Sequence, residues 1–261
     1  MIEPVVSVVL PIREGRDIAW LALKGLARQY EAPPWELLVG EETCGERVLG
    51  ECALREWATR LRAAGMVYLG YRAYAEPCGL NQKVWDLTQA ASESSGTIVY
   101  LGCDDLPHPR RLRASHDAIV GGAHLYQERE GIYLNLDTGK VAMYDAAVGR
   151  SSRQAHLNMS IGTEIAKTFP MDMGEGTKTD RIFFARTKDA VERSGLTFVL
   201  CEVEHWCLGG LATHGRNHVI TGQRGRLIDE CLPPFRRVDD EPPCGVPEDI
   251  WARLQAMVRN D

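Results

Sequence analysis

Four short apolar runs, each followed by a helical stripe, dictate what the first hundred residues can become. The runs are "PVVSVVLP" (4–11), "WELLVGEE" (35–42), "MVYLGY" (66–71) and "TIVYLG" (97–102). Short continuous apolar runs suit strands buried on both faces. Between them lie apolar positions at helical spacing: Leu23, Leu26, Ala27 and Tyr30, then Leu54, Trp57, Ala58 and Leu61, then Leu80, Val84, Leu87 and Ala91. Gly65 and Gly96 follow the second and third stripes as stop signals. Strict alternation of strand and helix implies an α/β fold, a mostly parallel sheet flanked by helices with right-handed crossovers.

Ligands of such sheets collect at the carboxyl ends of the strands. Here those ends carry Pro11-Ile12-Arg13-Glu14, Glu41-Glu42-Thr43 and Asp104-Asp105. The last pair stands in "TIVYLGCDDLPHP", where a buried strand runs straight into two carboxylates and two prolines. Adjacent carboxylates repel unless a positive charge lies between or beside them. Helix capping by Asp105, ahead of a helix starting near Pro107 or Pro109, accounts for one acid but not for both. A divalent cation accounts for both: Mg2+ or Mn2+ is commonly held by one or two carboxylates together with substrate phosphates.

The alternation breaks after residue 102. "GIYLNLDTGKVAMYD" (131–145) reads as a β-hairpin turning at Asp137-Thr138-Gly139. A Gly- and Thr-rich loop, "MDMGEGTKTD", leads into a helix with Phe183, Phe184, Thr187 and Val191 on one face, closed by Ser194-Gly195. "TFVLCEV" reads as a strand, "GLATHGRNHVITG" as a loop with two histidines, and 233–247 as a linker. The tail "PEDIWARLQAMVRND" puts Ile250, Trp251, Leu254, Met257 and Val258 on one helical face, suited to its own domain or to a homodimer. Its polar face is too weakly basic for a membrane surface. Cys201, His205, Cys207 and His214 are zinc-type ligands, but their spacing fits no common zinc pattern and Cys201 falls within a strand.

Composition narrows the function classes. A net charge of -6 supplies no overall basic field for nucleic acid. No apolar run approaches the roughly 18 residues of a membrane helix. The N-terminal run has no basic region ahead of it and holds a proline, unlike a signal peptide. Eight scattered cysteines suit reduced thiols, so a cytoplasmic location is expected. There is no Walker loop, no G-x-G-x-x-G after a strand and no G-x-S-x-G, which argues against P-loop NTPases, nicotinamide dehydrogenases and α/β-hydrolases.

The segment "VSVVLPIREG…ALKGLARQ…PWELLVGEET…LNQKVWDLTQAASESSGTIVYLGCDDLPHPRRL" resembles the N-terminal half of family 2 glycosyltransferases with the GT-A fold. The likeness is good over about residues 5–115 and loose beyond. It implies a GT-A domain over 1–225, with a donor-binding half (1–115) and an acceptor and catalytic half (116–225), then a linker and C-terminal helix (226–261). It implies a nucleotide-sugar donor, a UDP-sugar first, with Pro11, Arg13, Glu14, Glu41, Asn81, Lys83 and Asp104 around it. Glu41 stands where an aspartate of that family accepts hydrogen bonds from uracil. The family's metal-binding acids align with Gly102 and Asp104, so the first acid is missing; Mn2+ or Mg2+ would rest on Asp104 and Asp105, with His214 of "ATHGRN" beside the metal or diphosphate. "TKTDRIFFAR" resembles the family's catalytic acid opening a helix, giving Asp180 as the base and Glu175 as its competitor.

The expected activity is inverting transfer of a sugar from a nucleoside diphosphate to a hydroxyl acceptor that the sequence does not identify. One carboxylate takes the acceptor proton, and the metal, with His214 or Lys83, offsets charge on the departing diphosphate. The rivals are a sugar-phosphate nucleotidyltransferase, for which Arg13 and Arg16 lack the expected Gly-rich loop, and a non-catalytic nucleotide-sugar or glycan binding protein.

Overall fold

The computed structural model describes residues 2–13, 19–45, 48–128, 130–134, 140–145, 159–168, 179–203, 235–237 and 248–259. Its main sheet has seven strands in the order β3-β2-β1-β4-β8-β5-β9. They are β1 (Val6–Ile12), β2 (Trp35–Glu42), β3 (Met66–Tyr74), β4 (Thr97–Tyr100), β5 (Leu125–Glu128), β8 (Met159–Gly162) and β9 (Leu200–Val203). Strands β3, β2, β1 and β4 pair in parallel, as the alternation requires. Strand β8 runs antiparallel between β4 and β5, so β4 and β5 point the same way and end on the same sheet edge.

Every residue of β1 and β2 is buried, which explains their unbroken apolar character. Alternate side chains feed two cores. Val6, Val8, Leu10 and Ile12 meet Leu23 and Leu26 of α1 (Trp20–Leu26) and Leu54 and Leu61 of α2 (Gly50–Ala63). On the other face Val9, Leu38, Ile98 and Tyr100 meet Val84 and Leu87 of α3 (Leu80–Ala90). Gly65 ends the α2 connection at φ 96°, a left-handed position that glycine adopts without steric cost.

Several expectations change. The first helix stops at Leu26, and Tyr30 lies beyond it, 56% exposed, because Gln29 and Tyr30 bond the loop 107–112 instead of continuing the helix. Asp105 caps nothing: α4 (Arg111–Val120) starts with Arg110 at its N-cap and no side-chain cap bond. Pro107 and Pro109 disfavour helical backbone in the residues before them, which delays the helix. Strand β3 runs three residues past its expected end, and β9 holds only the last four residues of "TFVLCEV". The short elements β5, β8 and α5 (Thr163–Lys167) have no separate expectation to match; four or five residues are too few for a readable period.

The hairpin is present as β6 (Glu130–Leu134) and β7 (Val141–Asp145), antiparallel, with its turn outside the described residues. A third strand, β10 (Phe235–Arg237), joins β7 from within the stretch expected to be a linker. Helix α6 (Thr179–Arg193) buries Thr187 and Val191 as its pattern requires. The tail helix α7 (Glu248–Arg259) buries Ile250 and Trp251 within its own chain. Asp249 pairs with Lys24, and the Arg253 guanidinium lies 3.9 Å from the Trp20 ring centre. Of the two expected roles, its own domain or a homodimer, this part of the tail takes the first, packing on α1.

Candidate active site

The carboxyl edge of the sheet brings the ends of β1, β2, β4 and β5 together, and each end carries a different polar arrangement. At β1, Pro11 is buried opposite Gly40 of β2. Arg13 follows with a largely exposed side chain, its Nε 3.7 Å from Glu42 Oε2. The Cys103 thiol, in the loop that follows β4, packs against the core that holds β1. Burial, then the charges of Asp104 and Asp105, push that thiol well above its ordinary range, so it stays protonated.

At β2 the two acids are already engaged. Glu41 is fully buried, and it accepts hydrogen bonds from the backbone N–H groups of Leu49 (2.7 Å) and Gly50 (2.9 Å) and from the Tyr71 hydroxyl (3.0 Å). It caps the start of α2 from a distant strand, where the helix dipole favours an anion. Glu42 binds the buried Lys83 ammonium at 2.5 Å. Lys83, expected to reach the leaving diphosphate, therefore has its charge committed inside the β2–α3 junction. Asn81 lies two residues earlier on the same helix, half-buried.

The β4 end differs. Asp104 is half-buried and Asp105 buried. A methyl group on Gly102 would lie 2.5 Å from Asp105 Oδ2 and 3.1 Å from Asp104 Oδ1. The two carboxylates thus converge on the space that a side chain at 102 would fill. The Asp105 N–H donates to the Gly102 carbonyl, which turns the loop back on itself. Burial foremost, then the charges of Asp104 and Glu128, hold the Asp105 carboxyl well above the usual carboxylate range.

Glu128 is the site residue that the sequence reading missed. It ends β5 fully buried, pairs with buried Arg111 of α4 at 2.6 Å, and faces Asp105 electrostatically. Burial pushes its carboxyl up against the attraction of Arg111. Burial opposes the charge of Arg111, but Glu128, Tyr126 and Asp105 outweigh it and raise its pKa. The signal available in sequence was a strand ending in an acid, "LYQERE", too short to read as a strand by itself.

Two hard oxygen donors converging on one point fit Mg2+ or Mn2+. Among the described residues no three His, Cys, Asp or Glu side chains form a metal-ligand set. Asp180 lies in the first turn of α6, although its side chain lies outside the described part. Glu14, Glu175, His205, Cys207, His214 and Asn217 also lie outside the described residues.

No family model and no curated sequence matches the chain. Solved structures do match its fold. TarS from S. aureus shares 14% identity at a TM-score of 0.57, over 98% of this chain and 43% of TarS. TarS 1-349 in complex with UDP shares 13% at 0.56, over 98% of this chain and 70% of that one. The mannosyltransferase PcManGT from Pyrobaculum calidifontis, in complex with GDP-Man and Mn2+, shares 13% at 0.54, over 98% and 70%. The chain spans less than half the length of TarS. These neighbours are GT-A glycosyltransferases, and the mixed sheet flanked by helices is the GT-A fold.

Proposed function

We propose that this chain is a glycosyltransferase that moves a sugar from a nucleoside-diphosphate donor, a UDP-sugar first, to a hydroxyl acceptor with inversion. The observation that carries the reading is the convergence of Asp104 and Asp105 beside Gly102, at the strand edge where such a sheet receives ligands. In this reading Asp104 and Asp105 hold Mn2+ or Mg2+, with donor phosphates completing the shell. A divalent cation there supplies charge to offset the departing diphosphate.

The remaining work falls to the chain's own groups. The backbone at Pro11 to Arg13, with Glu14 and Asn81, lines the nucleoside, and the Arg13 guanidinium faces the diphosphate. Glu41 and Lys83 position rather than touch: one fixes α2, the other fixes the β2 end against α3. His214 is a further candidate beside the diphosphate. The acceptor oxygen bonds to the anomeric carbon as the bond to the diphosphate oxygen breaks, and its proton passes to Asp180, or to Glu175. A helix N-terminus keeps a carboxylate ionised, as a base must be.

Calorimetry with UDP and GDP, in Mn2+ and in chelator, tests donor binding; release of free diphosphate from a donor-sugar library tests turnover. Tight binding unaffected by chelator would remove the cation role. Asp180→Asn is expected to keep donor affinity and to cut transfer about 10²–10⁴-fold. Full specific activity with a lowered Tm would make Asp180 a cap and transfer the role to Glu175.

A further inference from the structure

Glu42 meets two cations at once. Its Oε1 binds the Lys83 ammonium at 2.5 Å, and its Oε2 lies 3.7 Å from Arg13 Nε. The strand register explains the meeting: Ile12 of β1 pairs with Glu41 of β2, so the next residues, Arg13 and Glu42, leave the sheet side by side. Side chains alternate along a strand, so Glu42 falls on the same face as Leu38, which packs with Val84 and Leu87 of α3, the helix that carries Lys83. The three side chains differ in exposure. Those of Glu42 and Lys83 are 9% and 3% exposed, whereas that of Arg13 is 67% exposed. A buried pair of this kind adds little stability over apolar residues, because desolvation offsets its attraction. What it provides is a fixed negative oxygen at the mouth of β1 and β2, beside an arginine that water alone would leave free among many rotamers. Arg72, the neighbouring cation on β3, is committed to Asp86 at 3.1 Å.

We propose that Glu42 is a positioning residue for donor binding: anchored by buried Lys83 through one carboxylate oxygen, it aims the Arg13 guanidinium with the other, at the phosphates of a nucleoside diphosphate. The inference rests on the glycosyltransferase reading and deepens it, by assigning the anionic part of the donor to the β1–β2 corner and the cation to the β4 end. Lys83 shares the carboxylate, so Glu42 holds Arg13 without cancelling it. The three groups carry two positive charges and one negative, and the surplus lies on the exposed member. A separation of 3.7 Å is longer than a hydrogen bond, so Glu42 steers the guanidinium and leaves its fork of N–H donors to phosphate oxygens. Neither Glu42 nor Lys83 touches the donor.

The test is UDP affinity, measured by calorimetry with Mn2+ present, for wild type, Glu42→Gln, Arg13→Ala and the two substitutions together. Glu42→Gln is decisive in sign. Removing a negative charge beside an anion site tightens anion binding if Glu42 acts only through its field, whereas removing a positioning group weakens it. Glu42→Gln is expected to weaken UDP binding about 10-fold, the size of one charge-assisted contact. It should add nothing in the Arg13→Ala background, because the two residues act as one unit. Tighter or unchanged UDP binding in folded Glu42→Gln overturns the proposal. An equal loss with Arg13→Ala already present also overturns it, and would mark Glu42 as a support of β2 and α3 alone. Should Glu42→Gln leave the Lys83 charge buried and fail to fold, Glu42→Gln combined with Lys83→Met removes both charges from the junction. The same loss, confined to proteins that keep Arg13, is expected there, and unchanged UDP affinity overturns the proposal. A wild-type protein that binds neither UDP nor GDP defeats the underlying reading instead, and is separable by that control.

Discussion

The ends of β2 and β4 each carry two adjacent acids, yet the structure treats them oppositely. Glu41 receives three hydrogen bonds and Glu42 a lysine, so the β2 acids are neutralised by the chain itself. At the β4 end, buried Asp105 feels the charges of Asp104 and Glu128, which together with burial outweigh the attraction of Arg111. A buried acid supplied with donors is a structural cap; a buried acid left with excess negative charge is a place for a cation.

The comparison breaks hardest at Asp104. Asp104→Asn is expected to abolish the rise in Tm that Mn2+ with UDP produces, and to lower Mn2+-dependent UDP affinity by roughly 100-fold or more, beyond the outer-shell range. A Tm response equal to wild type would put the two strand ends on the same footing.

Glu41→Ala probes the other side. It leaves the Leu49 and Gly50 N–H groups and the Tyr71 hydroxyl without their acceptor, and should cost about 1–3 kcal/mol in denaturant unfolding. The Mn2+ dependence of nucleotide binding should remain. Loss of that dependence with stability intact would mean that Glu41 meets the ligand.

Gly25→Ala sharpens the picture from beneath the β4 loop. A methyl there would lie 2.4 Å from Pro107 Cδ, so α1 and the loop must separate, at about 1–3 kcal/mol. The Mn2+ affinity should fall with it, because Gln29 and Tyr30 anchor the same loop through His108, Pro109 and Leu112.

The smallest effect concerns His108, whose Nδ1 accepts the Arg110 N–H. Burial, then the nearby Arg110 charge, lowers its pKa below the ordinary 6.5. The stability it contributes is therefore complete above about pH 6.5 and lost as pH falls through its folded-state value. His108→Gln should flatten the slope of Tm against pH in that window; an unaltered slope would place the titration elsewhere.

Much of the donor half could be read from the chain because its signals are local. Leu54, Ala58 and Leu61 share a helical face, and Val6, Val8, Leu10 and Ile12 share a strand face, by periodicity alone. The strand-end position of Asp104 and Asp105 followed from "TIVYLG" in the same way. Beyond residue 115 the elements are shorter: β5 and β8 have four residues each, and β10 has three, inside a proline-rich stretch that reads as linker. Pairing with distant strands makes them strands, and no local pattern records that.

The acids show the same division. Sequence by itself determined that carboxylates end β2 and β4 on one edge of a parallel sheet, because hydrophobic period and crossover handedness leave little choice. Only the tertiary structure decided which of them are satisfied. Leu49, Gly50 and Tyr71 reach Glu41 from the next loop and strand, and Lys83 reaches Glu42 from α3. Arg111 and Glu128 come to Asp105 from α4 and from a strand two places across the sheet. The charge state of a buried group depends on what the fold gathers within a few ångströms of it, and that gathering is invisible along the chain.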